Sequence, residues 1–206
     1  MDKPKLKFQS SWDDGRAEDV KLFAMLVSHV LPATFYIPDN SELSDEEIQH
    51  FAKVFEIGGH TVNHPMDMKQ LSEEQIRYEV GANKQWLENL VGKEITKFCY
   101  PRGRYDQRVI DEVKKAGYES ARTTVVLKTE VQDPYQSPTT IHVYQRSEYL
   151  ETDWVEVAKK YAEYASLTDT VFHIWGHSWE IEKFNYWDKL DELFKYLREY
   201  YEIISV

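Results

Sequence analysis

Two adjacent carboxylates in the segment "SWDDG" (residues 11–15) are the first residues whose types and spacing could do chemistry. Asp13 and Asp14 stand side by side just where an apolar-rich segment ends. Asp and Gly both favour turns, so a polar turn is one interpretation. The other is that a cation lies between or beside the two side chains, because adjacent negative charges otherwise repel each other.

Two histidines, His60 and His64, are separated by three residues in "HTVNH". This spacing places both imidazoles on one side of a helical turn or tight loop, and divalent metals often use it. Taken alone, the pair is equally compatible with histidines that hydrogen-bond within a loop. With one aspartate from a neighbouring strand end, it predicts a three-ligand site with room for water, as in catalytic metal centres. The second aspartate could then take a proton from that water.

A third histidine, His177, follows a predicted strand beside Gly176, where a general acid would be placed. His173 lies within the strand "VFHIW", and an inward-facing, hydrogen-bonded histidine is the simpler interpretation there. The remaining histidines are assigned no role, because two lie on predicted helices and one on a strand far from any motif: His29, His50 and His142.

Strand-like and helix-like patterns alternate along the chain. Strands are predicted at residues 5–12, 33–37, 55–59, 96–100, 119–124, 140–146, 170–175 and 202–206. Helices are predicted at residues 17–30, 44–55, 72–90, 105–116, 153–165 and 186–201. Ser44 with Glu47 and Ser72 with Gln75 form capping boxes that begin two of these helices.

This alternation predicts one α/β domain over residues 1–206 with a parallel sheet, either open or closed, and we favour a small distorted (β/α) barrel. In such folds functional groups lie on the loops at the carboxyl ends of the strands. The two aspartates and the segments 59–65, 100–106 and 175–180 all follow predicted strands. We therefore expect these four polar clusters to share one rim.

The composition limits the partners of the chain. A formal net charge of -11 argues against binding to nucleic-acid phosphates or anionic membranes, which need clustered Lys and Arg. No segment approaches the roughly 20 apolar residues that cross a bilayer, and the first residues lack the apolar stretch of a secretory signal. The single cysteine, Cys99, suits a reducing compartment. We expect a cytoplasmic protein, and the sequence leaves its oligomeric state open.

The motifs resemble those of the polysaccharide deacetylases of the NodB-homology type, carbohydrate esterase family 4. "SWDDG" is similar to the first motif of that family, T-F-D-D-G, with Ser11 and Trp12 as variants of Thr and Phe. "HTVNH" matches the second motif, H-[ST]-x-x-H. The resemblance covers almost the whole chain in the family's order of motifs. It implies a distorted (β/α) barrel with fewer than eight full repeats.

By this resemblance Asp13 is the general base, and Asp14, His60 and His64 hold one divalent metal ion. Zinc is the metal best suited to two imidazoles and a carboxylate, and cobalt, nickel, manganese and iron fit similar ligands.

The segment "WGH" is similar to the fifth motif, Leu-x-His. This makes His177 the general acid, with His173 as the second candidate, and Trp175 a wall of the acyl pocket. A backbone N–H near Arg102, together with the metal, would hold the oxyanion, which makes Arg102 a substrate-binding position.

Two motifs depart from the family pattern. The third usually reads R-x-P-[FY], but Cys99 in "FCYPRG" stands where the arginine would be. Another arginine would have to replace it, with three candidates: Arg102, Arg122 and Arg146. The fourth motif, D-x-x-D-W, survives only as "TDW", with Leu150 in the first aspartate position.

The expected function is metal-dependent removal of acetyl groups from an N-acetylated, or alternatively O-acetylated, sugar or oligosaccharide. One alternative keeps the fold and the metal but hydrolyses other non-peptide C–N bonds, such as those of cyclic amides and ureides. Another is a glycan-binding relative with weak catalysis, although retention of Asp13 argues against it. The aromatic residues best placed to stack on sugar rings are Tyr105, Trp154 and Trp179.

Overall fold

The structure is a computed structural model that describes residues 3–206, which form eight strands, seven α-helices and four short 3₁₀ helices. The strands are β1 (Lys5–Asp13), β2 (Thr34–Ile37), β3 (Glu56–Gly59), β4 (Lys97–Cys99), β5 (Ser120–Arg122), β6 (Ile141–His142), β7 (Val171–Gly176) and β8 (Glu202–Ser205). The helices are α1 (Asp19–His29), α2 (Asp45–Phe51), α3 (Glu73–Val91), α4 (Gln107–Lys115), α5 (Trp154–Thr168), α6 (Ser178–Lys183) and α7 (Trp187–Tyr200).

All strand pairs of the sheet are parallel, in the order β5-β4-β3-β2-β1-β7-β6. Strand β8 pairs with the first half of β1, and β2 pairs with its last residues. Ser137 forms an isolated parallel bridge with Arg122, so the chain that leads into β6 also contacts β5. The sheet therefore curls into a distorted (β/α) barrel, which confirms the predicted fold class.

The predicted helices form with small shifts at their ends, and both capping boxes are present at Ser44 and Ser72. The predicted strand at 140–146 is shorter, because only Ile141–His142 pair with β7. Helix α6 was not predicted. Its six residues are too few for an apolar repeat to stand out in the sequence.

The sheet divides its side chains between two environments, because successive residues of a strand point to opposite faces. Leu6, Phe8 and Trp12 of β1 are completely buried in the apolar core. Ser11, on the other face, contacts His173 of the neighbouring strand β7 inside the barrel. Polar side chains are therefore collected inside the barrel, below the rim that carries the site.

Strand β3 ends in two glycines because neighbouring side chains approach its backbone closely. A Cβ atom at Gly58 would collide with the ring of Tyr36, and one at Gly59 would collide with the Tyr118 hydroxyl and lie 2.9 Å from Oδ1 of Asn83 in α3. Such contacts are far inside van der Waals distance, so only glycine fits at these positions. This places the start of the "HTVNH" loop close to β2 and α3.

Within residues 3–206, no helix combines the length and the apolar character that crossing a membrane requires.

Candidate active site

The carboxyl ends of β1, β3 and β7 bring together the residues that the sequence singled out. Asp14 Oδ1 lies 3.5 Å from His60 Nε2 and 3.4 Å from His64 Nε2. His177 Nε2 lies 4.0 Å from Asp13 Oδ2 and 3.9 Å from Asp14 Oδ2. Residues from distant parts of the chain thus form one cluster at the rim.

The trio Asp14, His60 and His64 fits a divalent metal ion. Ligand atoms at about 2.0–2.1 Å from a tetrahedral metal lie about 3.3–3.4 Å from one another, close to the separations found here. Asp14 Oδ1 is buried and has no hydrogen-bond partner among residues 3–206. The buried oxygen and the two ring nitrogens beside it therefore have the spacing and the chemistry of a metal-binding set.

The hydrogen bond of His60 also suits a ligand. Its Nδ1 lies 2.8 Å from the carbonyl oxygen of Cys99, and because a carbonyl oxygen can only accept, Nδ1 carries the hydrogen. In the neutral ring the lone pair is then on Nε2, which faces Asp14. Metal-binding histidines commonly donate their other N–H in this way. Burial would lower the pKa of His60, but Cys99, Asp14 and Asp13 raise it well above the ordinary value, so a metal ion would take the place of a proton at Nε2.

The charge states of His64 and Asp14 are also those expected of metal ligands. Burial lowers the pKa of His64 to about 4, so its imidazole is neutral near pH 7. Burial would raise the pKa of Asp14, but the neighbouring His60, His177 and His64 lower it well below the ordinary value. Trp179 Nε1 donates to Asp14 Oδ2 at 3.1 Å, which leaves Oδ1 directed at the two histidines.

The "HTVNH" segment is a tight loop rather than a helical turn. Asp14, Thr61 and His64 have positive φ angles of 81°, 70° and 49°. This backbone region is unfavourable for a β-branched residue such as threonine. Thr61 Oγ1 accepts a hydrogen bond from the His64 N–H at 3.1 Å, which holds the loop in this shape.

Asp13 is bound to Arg122, which comes from β5. The guanidinium Nη2 donates to Asp13 Oδ2 and lies 2.8 Å from Cys99 Sγ, and all three side chains are buried. Cys99 and Arg122 are register partners of adjacent strands, so Arg122 enters the site at the level where the family motif has its arginine. Of the three arginines that the sequence left open, Arg122 is the one that contacts Asp13.

This pairing sets the charge of Asp13. Burial would raise the pKa of Asp13, but the Arg122 guanidinium, with smaller contributions from His60 and His177, lowers the pKa below its ordinary value. Asp13 is therefore ionised near neutral pH. Its Oδ1 is buried without a hydrogen-bond partner in the described part of the chain, so this oxygen can still accept a proton.

His177 is held from behind by helix α6. Its Nδ1 lies 2.6 Å from Glu180 Oε2, and its Nε2 faces the two aspartates. Burial would lower the pKa of His177, but Glu180, Asp13 and Asp14 raise it above the ordinary value. The ring can therefore carry a proton on the nitrogen that faces the site.

Trp175 and Arg102 lie in different surroundings. Trp175 is buried, stacks on His142 with ring centroids 4.0 Å apart, and has Arg122 Cζ 4.5 Å from its ring centre. Arg102 is exposed on the loop after β4, with a positive φ of 57°, and its charge contributes to the lowered pKa of His64. Trp175 is therefore packed inside the barrel beside Arg122, whereas Arg102 lies at the outer edge of the site.

His173 lies deeper in the barrel than His177. Its Nε2 lies 2.9 Å from Ser11 Oγ, and burial lowers its pKa to about 3, so the ring is neutral. These contacts match the simpler interpretation of an inward-facing, hydrogen-bonded histidine.

The sequence suggested three aromatic residues for stacking on sugars, and for one of them, Trp154, the prediction is wrong. Trp154 is completely buried in the core, because it begins helix α5 with its ring turned inward. Tyr105 is partly exposed and stacks on Tyr100. Trp179 is partly exposed beside the site.

Sequence reasoning also missed functional neighbours. His142 was set aside as far from any motif, but its Nε2 lies 2.9 Å from Glu180 Oε2. Glu180 was not singled out, although its position three residues after His177 is a helical spacing that could have suggested the contact. Asn83 of α3 accepts from the His60 N–H at 2.8 Å, and no local pattern in the sequence indicates this contact.

Two further groups of potential ligands suit a metal less well. In the group Asp13, His60 and Cys99, the buried guanidinium of Arg122 contacts two of the three members, and its positive charge disfavours a cation. In the group His142, His177 and Glu180, one carboxylate oxygen already accepts from both rings.

A comparison with protein families matches residues 2–121, more than half of the chain, to the model described as polysaccharide deacetylase. The chain belongs to the polysaccharide deacetylase family. It is a NodB-homology protein of carbohydrate esterase family 4, as the sequence motifs indicated. Members of this family deacetylate carbohydrates, and they generally use a divalent metal.

Several solved structures share this fold. The Xyl-CE4 domain of a multidomain xylanase from the hindgut metagenome of Trinervitermes trinervoides has a TM-score of 0.70 at 16% identity, over 98% of this chain and 88% of that chain. The Streptococcus pyogenes deacetylase PplD, solved with acetate, has a TM-score of 0.53 at 22% identity, over 56% of this chain and 54% of that chain. The present chain thus matches about half the length of PplD.

A family 4 pseudoenzyme of Bacillus anthracis has a TM-score of 0.63 at 16% identity, over 98% of this chain and 64% of that chain. At these identities the likeness concerns the fold alone. A comparison with curated proteins gives no match.

Proposed function

We propose that this polysaccharide deacetylase family member is a metal-dependent hydrolase that removes acetyl groups from an N-acetylated carbohydrate, with O-acetylated carbohydrates as a second substrate class. One observation carries the proposal: an ionised Asp13, the Asp14–His60–His64 set and the Nε2 of His177 converge at one rim. Asp14 lies within 3.9 Å of all three histidines, and His177 Nε2 lies 4.0 Å from Asp13 Oδ2. A binding protein would not need Asp13 and His177.

Asp14, His60 and His64 would hold the metal. Zinc suits this donor set, and cobalt, nickel, manganese and iron are compatible with it. When bound, the metal would supply a Lewis acid that polarises the acetyl carbonyl and lowers the pKa of water beside it. Trp179 and the Cys99 carbonyl support the site by orienting Asp14 and His60.

Asp13 would act as the general base. Arg122 occupies Oδ2 and keeps the carboxylate ionised, so Oδ1 is the oxygen that takes a proton from the attacking water. The water oxygen then adds to the acetyl carbon. The pairing with Arg122 limits the basicity of Asp13, but it ensures that the carboxylate is unprotonated at neutral pH.

His177 would act as the general acid. A proton on its Nε2 passes to the sugar nitrogen as the C–N bond breaks, and acetate and the free amine are the products. Trp175 would form a wall of the acetyl pocket, and a backbone N–H near Arg102 would stabilise the oxyanion. These roles match the placement of the two residues at the inner and outer sides of the rim.

The contact between Arg122 and Asp13 weakens the case for a cyclic amide or ureide substrate. A missing arginine at Cys99 would have favoured a shift to such a substrate, but the guanidinium of Arg122 from β5 contacts Asp13 instead. A catalytically weak glycan-binding relative stays as the second candidate, because the family includes a pseudoenzyme of the same fold.

The test is acetate release measured on chelator-treated protein and on the same protein reloaded with one equivalent of zinc. The substrate panel contains N-acetylglucosamine oligosaccharides, O-acetylated xylo-oligosaccharides and a cyclic ureide. We expect acetate from an acetylated sugar only after reloading. Full metal loading without acetate release from any acetylated sugar would contradict the proposal and favour the binding relative, and cleavage of the ureide alone would favour the other alternative.

A further inference from the structure

Glu180 joins two histidines through one oxygen atom. Its Oε2 lies 2.6 Å from His177 Nδ1 and 2.9 Å from His142 Nε2. The three side chains come from different elements: His142 from β6, His177 from the end of β7, and Glu180 from α6. All three are largely withdrawn from solvent, with exposed side-chain fractions of 7%, 18% and 12% for His142, His177 and Glu180.

The hydrogens of this group can be assigned from its acceptors. Burial would raise the pKa of Glu180, but hydrogen bonds from His142 and His177 lower it to about 2, so the carboxylate is ionised and can only accept. His177 Nδ1 and His142 Nε2 therefore both carry hydrogens. The Nε2 of His177 is left to face Asp13 and Asp14.

The ring of His142 is fixed independently of Glu180. It stacks on Trp175 with an interplanar angle of 8°, and its backbone N–H donates to the Tyr149 hydroxyl at 2.7 Å. Burial lowers the pKa of His142, so the ring is neutral and donates through Nε2 alone. Its Nδ1 is buried and has no hydrogen-bond partner within residues 3–206.

We propose that Glu180 and His142 are positioning residues that orient His177 for proton donation to the leaving group. This inference rests on the proposed function. Glu180 holds the His177 ring with Nε2 toward the reacting atoms, and His142 holds the carboxylate of Glu180 in place. Because His142 stacks on Trp175, the same contacts connect the wall of the acetyl pocket to the proton donor.

Substrates with different leaving groups distinguish a loss of proton donation by His177 from a general loss of structure. Departure of a sugar amine requires a proton from His177, whereas 4-nitrophenolate leaves without one. In Glu180→Gln we expect kcat for an N-acetylated oligosaccharide to fall about 10–100-fold, part of the 10²–10⁴-fold that general acid catalysis contributes, with KM nearly unchanged. Hydrolysis of 4-nitrophenyl acetate should stay within about threefold of wild type.

His142→Phe keeps a ring that can stack on Trp175 but removes the N–H donor. We expect a smaller loss than in Glu180→Gln, with the same difference between the two substrates. Glu182→Gln is the matched control, because it removes the same charge from the same helix at a side chain that contacts Trp187 and Lys21 instead. It should behave as wild type on both substrates.

A second measurement does not depend on activity. The Nδ1 proton of His177, bonded to a carboxylate at 2.6 Å, should give a low-field proton NMR signal in wild type. The signal should move upfield or disappear in Glu180→Gln and persist in Glu182→Gln.

Equal loss on the amide and the aryl ester, or no loss on either, would overturn the inference. Absence of the low-field signal in wild type would also overturn it. Failure of the proposed function would give a different result, because wild type would then release no acetate from acetylated sugars. The NMR signal and its dependence on Glu180 would still show whether Glu180 orients the His177 ring.

Discussion

At the scale of single residues, Arg122 replaces an arginine that the family motif carries on the adjacent strand. Cys99 and Arg122 are register partners, so their side chains leave neighbouring strands at the same level of the barrel. The small thiol at Cys99 leaves room for the guanidinium to reach Asp13. The charge beside Asp13 is thus retained although its position in the sequence has changed.

Removing Arg122 should be costly for stability. In Arg122→Met, the buried Asp13 keeps its charge and loses its partner, and we expect the free energy of unfolding to fall by about 3–5 kcal/mol. Replacing Asp13 as well, in Asp13→Asn/Arg122→Met, should restore part of this loss because no unpaired charge is then buried. Urea unfolding of the chelator-treated protein measures both values.

The matched control is Arg16→Met, which breaks an exposed ion pair with Glu42 at 3.0 Å. Exposed pairs of this kind contribute about 0–1 kcal/mol, so the control should unfold almost as wild type does. A loss below about 1 kcal/mol in Arg122→Met would mean that Asp13 does not depend on this buried pair.

At the scale of elements, two helices hold the site from outside the sheet. Helix α6 contributes Trp179 to Asp14 and Glu180 to His177. Helix α3 contributes the buried Asn83, whose Oδ1 accepts from the His60 N–H and whose Nδ2 donates to the Ile37 carbonyl at 3.0 Å. Strand ends supply the reactive groups, and helices fix their orientation.

Asn83→Leu should therefore weaken both the fold and the metal site. The His60 N–H and the Ile37 carbonyl would each lose a buried partner, and we expect a loss of at least about 2 kcal/mol in the free energy of unfolding. Zinc affinity, measured by competition with a chromophoric chelator, should fall about 10–100-fold because His60 is less firmly placed. Asn89→Leu, an exposed substitution on the same helix, is the control. Unchanged zinc affinity in folded Asn83→Leu would show that α3 does not orient His60.

At the scale of the whole molecule, the barrel interior is polar and the apolar core lies between the sheet and the helices. Ser11, His173 and Arg122 lie inside, and Arg122 Cζ lies 5.4 Å from the ring centre of Tyr36. This arrangement keeps ionisable groups away from water below the rim. Its consequence is a dependence of stability on pH.

His173 should make the protein less stable in acid. Its pKa is about 3 in the folded chain and about 6.5 when unfolded, so between these values only the unfolded chain takes up the proton. Stability is complete above pH 6.5 and falls as the pH decreases, by about 2 kcal/mol at pH 5. Urea unfolding at pH 8 and pH 5 measures the free energy of unfolding of wild type and of His173→Gln. Between the two pH values, wild type should lose about 2 kcal/mol more than His173→Gln does. Parallel pH profiles would show that His173 is not held neutral in the fold.

Much of this organisation could be predicted from the sequence, and the remainder depends on contacts between strands and helices. The alternation of helix-like and strand-like patterns predicted the barrel. The polar segments after the strands predicted that Asp14, His60 and His64 lie together at one rim. Arg122 could only be one candidate among three, because its contact depends on the register of β4 and β5. The contact of His142 with Glu180 depends on the short helix α6, which local patterns do not reveal.

The central claim is that Asp13 takes the proton from the attacking water beside a metal held by Asp14, His60 and His64. The most direct measurement is acetate release from an N-acetylated oligosaccharide by wild type and Asp13→Asn at equal, verified zinc content. We predict that Asp13→Asn binds zinc as wild type does but releases acetate at least about 10²-fold more slowly. Equal rates at equal zinc content would contradict this account.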